Sequence, residues 1–225
     1  MKKVDFDEYT KNYNNLLSES TSFFSEDEAY FARYKINIVK QQIKFEPNKI
    51  LEFGCGIGRN LRFLREAFPD SEIVGSDVSE QSLLIAAKEN PGNRFFTEGA
   101  EKEGREVFDL IFVAGVFHHI SPIQRPAVLQ LLLSRIRSGG SILIFEHNPY
   151  NPVTRRIVNN CPYDEDAVLL PPHELTSLLE NGGFSVQGRE FALFFPPKLK
   201  LLLPIEKYLG WLPLGGQYWV EAKRK

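Results

Sequence analysis

The segment Glu52-Phe53-Gly54-Cys55-Gly56-Ile57-Gly58 constrains this chain more than any other. It follows a short apolar run, residues 49–53, and precedes a helical pattern over residues 60–68. A strand, a tight glycine-rich turn and a helix place backbone N–H groups at a crevice beyond the carboxyl edge of a sheet. Glycine lets such a turn bend sharply and lets a ligand approach the backbone closely. The same turn also suits a buried structural loop, so the rest of the chain has to decide its use.

The alternation of strand and helix continues. Residues 72–76 read as a second strand, and Ser79 is a suitable N-cap for a helix through Lys88. Residues 94–97 and 108–114 read as strands three and four. A helix is predicted over 122–137, closed by Gly139 and Gly140, before a fifth strand at 141–145. This order implies a parallel sheet covered on both faces, and Leu110-Ile111-Phe112-Val113 has the continuous apolar character of a strand buried on both sides. Upstream, Ser25 and Glu28 are spaced as a capping box, and Ala32, Ile36, Val39 and Ile43 recur at helical spacing. Beyond the fifth strand the pattern loosens. A helix is expected near 153–159, another from Pro171-Pro172 to Leu179, a strand at 184–191, an apolar stretch with lysines over 196–212, and a last strand at 217–223.

The 225 residues suffice for one sizeable α/β domain. A net charge of -2 gives no nucleic-acid surface. Two cysteines, Cys55 and Cys161, are too few for a disulfide scaffold and point to a reducing, cytoplasmic setting. The N-terminal lysines precede no apolar stretch, so no secretory signal is expected.

Two details narrow the ligand. A dinucleotide fingerprint needs glycine at its first, third and sixth positions. Counting from Gly54, the sixth position is Arg59, and the third glycine falls at Gly58 instead. Asp77 ends the second strand, where a carboxylate can accept both ribose hydroxyl hydrogens. Ser79 can cap the following helix itself, which leaves Asp77 for a ligand.

On these residues the chain resembles the class I S-adenosylmethionine-dependent methyltransferases of the small-molecule type, from about Phe6 to the last strand. Glu52-x-Gly54-x-Gly56-x-Gly58 looks like their first motif and Asp77 like their ribose-binding acid. Glu98-Gly99-Ala100-Glu101 sits where many members carry Gly-Asp-Ala-Glu beside the adenine, with Gly99 at the acidic position. Phe108-Asp109-Leu110-Ile111 and the stretch Ala114 to Ile120 look like their fourth strand and the loop after it, and residues 138–144 like the turn into the fifth. The resemblance implies a doubly wound, Rossmann-like sheet of about seven strands in the order 3-2-1-4-5-7-6, the last antiparallel. It implies S-adenosylmethionine as cofactor and S-adenosylhomocysteine as product. The expected cofactor contacts are Glu52, Gly54, Cys55, Gly56, Gly58, Asp77, Val78, Gly99, Ala100, Glu101, Ala114 and Gly115. It further implies one domain: a helical arm at 1–46, a cofactor-binding core at 47–147, and an acceptor-side cap with the last strands at 148–225.

Methyl transfer displaces a neutral sulfide, so positioning is the main requirement. A hydroxyl or ammonium acceptor also needs a base. His118, His119, Glu146 and His147 lie at the ends of strands four and five; His119 and His147 are the candidate bases, and His118 is expected to turn towards the fold. No cluster has zinc-ligand spacing, so no metal is expected. Tyr9, Tyr13, Tyr30 and Tyr34 either close over the sulfonium or pack the arm onto the sheet, with packing favoured. The acceptor is expected to be a small or lipid-linked molecule. Residues 198–214, rich in leucine with Lys198, Lys200, Lys207 and Trp211, suit peripheral membrane contact, although Pro204 argues against one long interfacial helix. An NAD-dependent oxidoreductase and a non-catalytic nucleotide-binding partner protein are the alternatives.

Overall fold

The computed structural model describes Ser25, residues 29–99 and residues 106–225. Strands and helices alternate through the first half. They are α1 (Tyr30–Gln42), β1 (Lys49–Phe53), α2 (Leu61–Ala67), β2 (Glu72–Asp77), α3 (Glu80–Glu89), β3 (Arg94–Thr97) and β4 (Phe108–Ala114). A 3-10 turn, Phe117–His119, leads to α4 (Arg125–Arg135) and β5 (Ile136–His147). The second half adds α5 (Pro152–Asn160), α6 (Pro172–Asn181), β6 (Phe184–Ala192) and β7 (Gln217–Arg224), with 3-10 turns at Pro162–Asp164 and Leu203–Tyr208.

The strands form one sheet in the order β3-β2-β1-β4-β5-β7-β6. The first five are parallel, while β7 runs antiparallel to both neighbours. This is the order that the resemblance implies. Alternate side chains of the central strands feed two separate cores. Leu51, Ile111, Val113, Ile142 and Ile144 pack with Leu129, Leu132, Leu175 and Leu179 of α4 and α6. Ile50, Leu110, Phe112, Leu143 and Phe145 pack with Ala32, Ile36, Val39, Leu61 and Leu64 of α1 and α2. Each such side chain stabilises the fold by about 1.5–3 kcal/mol when fully buried, which explains why these strands read as apolar throughout.

Side-chain caps start two of the helices, the first of them at the serine read from the sequence. Ser79 accepts the Ser82 N–H at 3.0 Å and caps α3. Asn151 accepts from Val153 and Thr154 and starts α5. At α1 the cap position is Ala29, with no side-chain cap, and Glu28 of the expected capping pair lies outside the described residues.

The helix predicted over 122–137 is shorter than expected, and Gly139-Gly140 does not cap it. The chain passes from Arg135 directly into β5, where Ile136 already pairs with Phe108. The register then slips so that Leu110 pairs with Ser141. A Cβ at Gly140 would lie 2.9 Å from the Asp109 carbonyl oxygen, so the glycine pair shapes an irregularity in the sheet. The apolar stretch near 198–214 forms turns and the short 3-10 segment, consistent with the break set by Pro204. Among the described residues no helix is long and apolar enough to cross a membrane.

Arg125 of α4 is 1% exposed, yet all three of its guanidinium nitrogens have partners. It donates to the carbonyls of Phe117 at 3.2 Å, Ile120 at 3.0 Å and Val168 at 2.5 Å, and it meets Glu174 at 3.2 Å. It thereby ties the turn after β4 to the 160–170 segment. Arg125→Leu removes these hydrogen bonds and the tie between the two segments, and is expected to lower unfolding free energy by about 3 kcal/mol or more, read from urea midpoints.

Candidate active site

At the end of β1 the backbone turns through Gly54 (φ 70°) and Gly56 (φ 53°), a region that side chains rarely adopt. A Cβ at Gly54 would lie 2.4 Å from Val116 Cγ2, so the loop after β4 packs directly on this turn. A Cβ at Gly56 would meet nothing within 4 Å: that face is open to a crevice. The Cys55 N–H donates to Ser76 O at 2.8 Å, anchoring the turn to β2. Asp77 accepts the Gly56 N–H on Oδ2 at 2.7 Å and the Ser79 N–H on Oδ1 at 2.9 Å.

The crevice has a volume of about 600 Å³. Its walls include Gly54, Cys55, Gly56, Asp77, Val78, Gly99, Ala114 and Gly115, eight of the twelve residues expected at a cofactor. Ala100 and Glu101 lie outside the described residues. Glu52 and Gly58 do not line the cavity; they brace the loop from behind. Asn90 donates to the Gly58 carbonyl at 3.1 Å. Asn60 donates to Glu52 Oε1 at 2.6 Å, while Glu52 Oε2 is buried with no hydrogen-bond partner among the described residues. Burial pushes the Glu52 carboxyl up to about 8. Glu98, just after β3, is gripped by Arg135 at 2.7 and 2.9 Å.

A second cavity of about 400 Å³ adjoins the first. Phe145, Val153, Ile157, Leu193 and Phe194 make it mainly apolar, and His147, Cys161 and Gln217 add polar points. Phe31, Lys35, Ala114, Gly115, His119 and Tyr163 belong to both cavities, so the two meet beside the end of β4. Phe31 and Lys35 are one helical turn apart on α1. Burial lowers the Lys35 ammonium to about 8, against the opposing pull of Glu52.

Glu146 of β5 organises the junction. Its Oε1 accepts the N–H groups of Val116 at 3.0 Å and Phe117 at 2.7 Å, and its Oε2 lies 2.6 Å from His118 Nδ1. His118 is 2% exposed and turned into the fold, as expected from the sequence. Burial opposes its charge, but Glu146 and Asp164 outweigh that and raise it to about 10. His119 and His147 move the other way. Burial first, and then the His118 charge, lower both, His147 to about 4. Two acids invisible to local sequence pattern complete the cluster: Asp164 lies 3.4 Å from His119 Nε2, and Asp166 lies 3.5 Å from His119 Nδ1. The Val168 N–H donates to the His118 carbonyl at 2.8 Å and holds this segment in place. Cys55 is buried with its thiol pushed well up, so it packs as a small apolar group. Tyr34 serves packing: it donates to Glu206 at 2.7 Å and accepts the Leu193 N–H at 3.1 Å. Tyr9 and Tyr13 lie outside the described residues.

A family model described as a methyltransferase domain matches residues 51–142, the stretch from β1 into β5 that carries the glycine loop and Asp77. Over that stretch the chain is similar to a methyltransferase domain, on a sheet whose strand order is the one the resemblance implies. It is similar to a tRNA (carboxymethyluridine(34)-5-O)-methyltransferase of Saccharomyces cerevisiae, 34% identical over 48% of this chain and 39% of that protein. It is also similar to a carboxy-S-adenosyl-L-methionine synthase of Campylobacter hominis, 25% identical over 68% of this chain and 65% of that one. The match thus spans less than two thirds of the length of these relatives. A solved structure from Thermotoga maritima, described as a possible histamine N-methyltransferase, shares the fold across 98% of both chains, with a TM-score of 0.69 at 17% identity.

The Glu52 carboxyl gives a checkable pH dependence. Its folded value, about 8, stands above the ordinary 4.5, so its stabilising contribution is fully present below about 4.5 and lost as pH rises through about 8. Glu52→Gln keeps the shape of the protonated acid and should flatten this fall, measured as urea midpoints at about pH 5 and about pH 9.

Proposed function

We propose that the protein transfers the methyl group of S-adenosylmethionine to a small, mainly apolar acceptor. The meeting of the two cavities at Ala114 and Gly115 carries this reading. Gly54, Cys55 and Gly56 offer backbone to the cofactor, and Asp77, which also accepts the Gly56 and Ser79 N–H groups, is assigned to the ribose hydroxyls. Val78, Gly99, Ala100 and Glu101 are assigned to the adenine side, and Ala114 and Gly115 to the methyl-bearing end. Glu52 and Gly58 support the loop. The segment 148–225 covers the acceptor.

In the transfer, a lone pair on the acceptor attacks the methyl carbon, the carbon–sulfur bond breaks, and the thioether leaves uncharged. Water exclusion and alignment supply most of the acceleration. His119 and His147 stand beside the acceptor cavity as imidazoles able to take the acceptor's proton. A protein that merely held a nucleotide would have no use for the second cavity. Cys55 and Cys161 are both free thiols, which supports a cytoplasmic setting.

Calorimetry should show binding of S-adenosylhomocysteine and none of NAD. Gly56→Val should abolish that binding, because its side chain enters the open face of the loop. Asp77→Ala should weaken it by about 1.5–3 kcal/mol, roughly 10- to 100-fold, through lost charge-assisted hydrogen bonds. Tight NAD binding without S-adenosylhomocysteine binding would overturn the reading. An acceptor screen with labelled methyl donor then gives the substrate, and on that substrate the double variant His119→Ala/His147→Ala should lose about 10²-fold in kcat with cofactor affinity intact. Full turnover in that variant would leave positioning as the whole of catalysis.

Leu201 and Trp211 are 92% and 76% exposed on the cover, beside Lys198, Lys200 and Lys207. This apolar, basic edge supports a peripheral contact through 198–214 with a lipid interface. Co-sedimentation with anionic liposomes should capture the protein and fail after Leu201→Ser/Trp211→Ser. Wild-type protein left wholly in the supernatant would remove the membrane contact from the proposal.

A further inference from the structure

The turn after β4 and the 3-10 turn Pro162–Asp164 bring His118, His119 and Asp164 to one point. Asp164 Oδ1 lies 3.4 Å from His119 Nε2 and 3.6 Å from His118 Nε2, and the three ligand-type atoms all fall within 4.8 Å of one another. At 3.6 Å the second contact is too long for a good hydrogen bond. Both separations match the edge of a tetrahedron: nitrogen and oxygen ligands about 2.0–2.2 Å from a zinc-type ion stand about 3.4 Å apart.

The far sides of the two rings are also arranged. His118 Nδ1 is held at 2.6 Å by Glu146, which is itself fixed by the Val116 and Phe117 N–H groups. That leaves Nε2 of His118 turned to Asp164. Asp166 stands 3.5 Å from Nδ1 of His119. The carboxylate bonded behind the His118 imidazole is the arrangement that orients histidine towards a metal, and Asp166 lies within ion-pair range of the His119 ring. Charge points the same way. Glu146, Asp164 and Asp166 place three carboxylates around rings with side-chain exposures of 2% and 10%. A single imidazolium offsets only part of this, whereas a divalent cation with neutral imidazoles offsets more. Two imidazole nitrogens with one carboxylate oxygen suit a zinc-type transition ion, while magnesium and calcium favour shells made of oxygen.

We infer that His118, His119 and Asp164 bind a divalent transition-metal ion, with Glu146 holding the His118 imidazole and Asp166 adding negative charge beside His119. Three protein ligands leave a coordination position at the junction of the cavities, since His119 lines both. A heteroatom of the acceptor can fill it. The ion engages Nε2 of His119 and leaves His147 as the ring facing the acceptor.

The test uses the full chain, stripped with a chelator and titrated with zinc in a calorimeter. One equivalent of zinc should bind, excess magnesium should not displace it, and thermal stability should rise with zinc concentration. Cobalt in place of zinc should give the intense visible bands of a four-coordinate nitrogen–oxygen site. Asp164→Asn and His119→Gln should each lower zinc affinity at least about 100-fold, and Glu146→Gln about 10- to 100-fold. S-adenosylhomocysteine binding, measured on the same samples, shows that each variant is folded and tests the cofactor reading separately. Absence of stoichiometric zinc uptake by the wild-type chain would overturn the inference. So would unchanged zinc affinity in folded Asp164→Asn and His119→Gln.

Discussion

The carboxylate of Glu146 is the contact on which the site rests. It is buried at the end of β5 and meets three donor groups, two of them backbone N–H groups of the neighbouring loop. A buried carboxylate costs several kcal/mol unless such donors surround it. Here they hold it below the ordinary carboxylate range, because the His118 charge and the N–H groups overcome the effect of burial. The consequence is geometric. The loop after β4 cannot swing without breaking all three contacts, so Val116 stays against Gly54 and His118 stays turned inward. One acid therefore sets the wall shared by both cavities. Arg125 does the corresponding work from the other side, with a buried cation spread over the carbonyls of Phe117, Ile120 and Val168.

Much of the scaffold was legible in the chain because both faces of the central strands are buried, which leaves an unbroken apolar signature. Residues 94–97 and 108–114 became β3 and β4 without a change of boundary. The helix before β5 was overestimated because Gly139-Gly140 has the composition of a helix cap. Pairing of Ile136 with Phe108, a contact between distant residues, drew the chain into the sheet first. Residues 49–53 followed by glycines and then Asp77 exposed the crevice, since each of these is a local requirement of one turn. Asp164 and Asp166 carried no such signal. They lie some 45 residues from His118 and His119, in an irregular segment that the Arg125 and Val168 contacts bring near. Lys35 was hidden for a different reason: its position on α1 faces the crevice from the edge of an amphipathic pattern that points Ile36 and Val39 elsewhere.

The same logic explains why Glu52 and Gly58 stand behind the cavity rather than in it. A strand alternates its side chains, so a residue beside the glycine turn can face away from the ligand while its backbone leads to it. Glu52 sits on that hidden side, where Asn60 takes one oxygen and the interior holds the other. The motif marks the place of the turn, and the pleat decides which side chains reach it.

The hydroxyl of Tyr34 joins two parts of the cover that are 159 residues apart. It donates to Glu206, which also receives the N–H groups of Phe194 and Phe195, and it accepts from Leu193. α1 and the segment after β6 are thus latched together, and each contributes to the roof of the acceptor cavity. Such a latch couples the roof to α1: a strain at residues 193–195 passes through one hydroxyl to the helix that also presents Lys35 to the crevice.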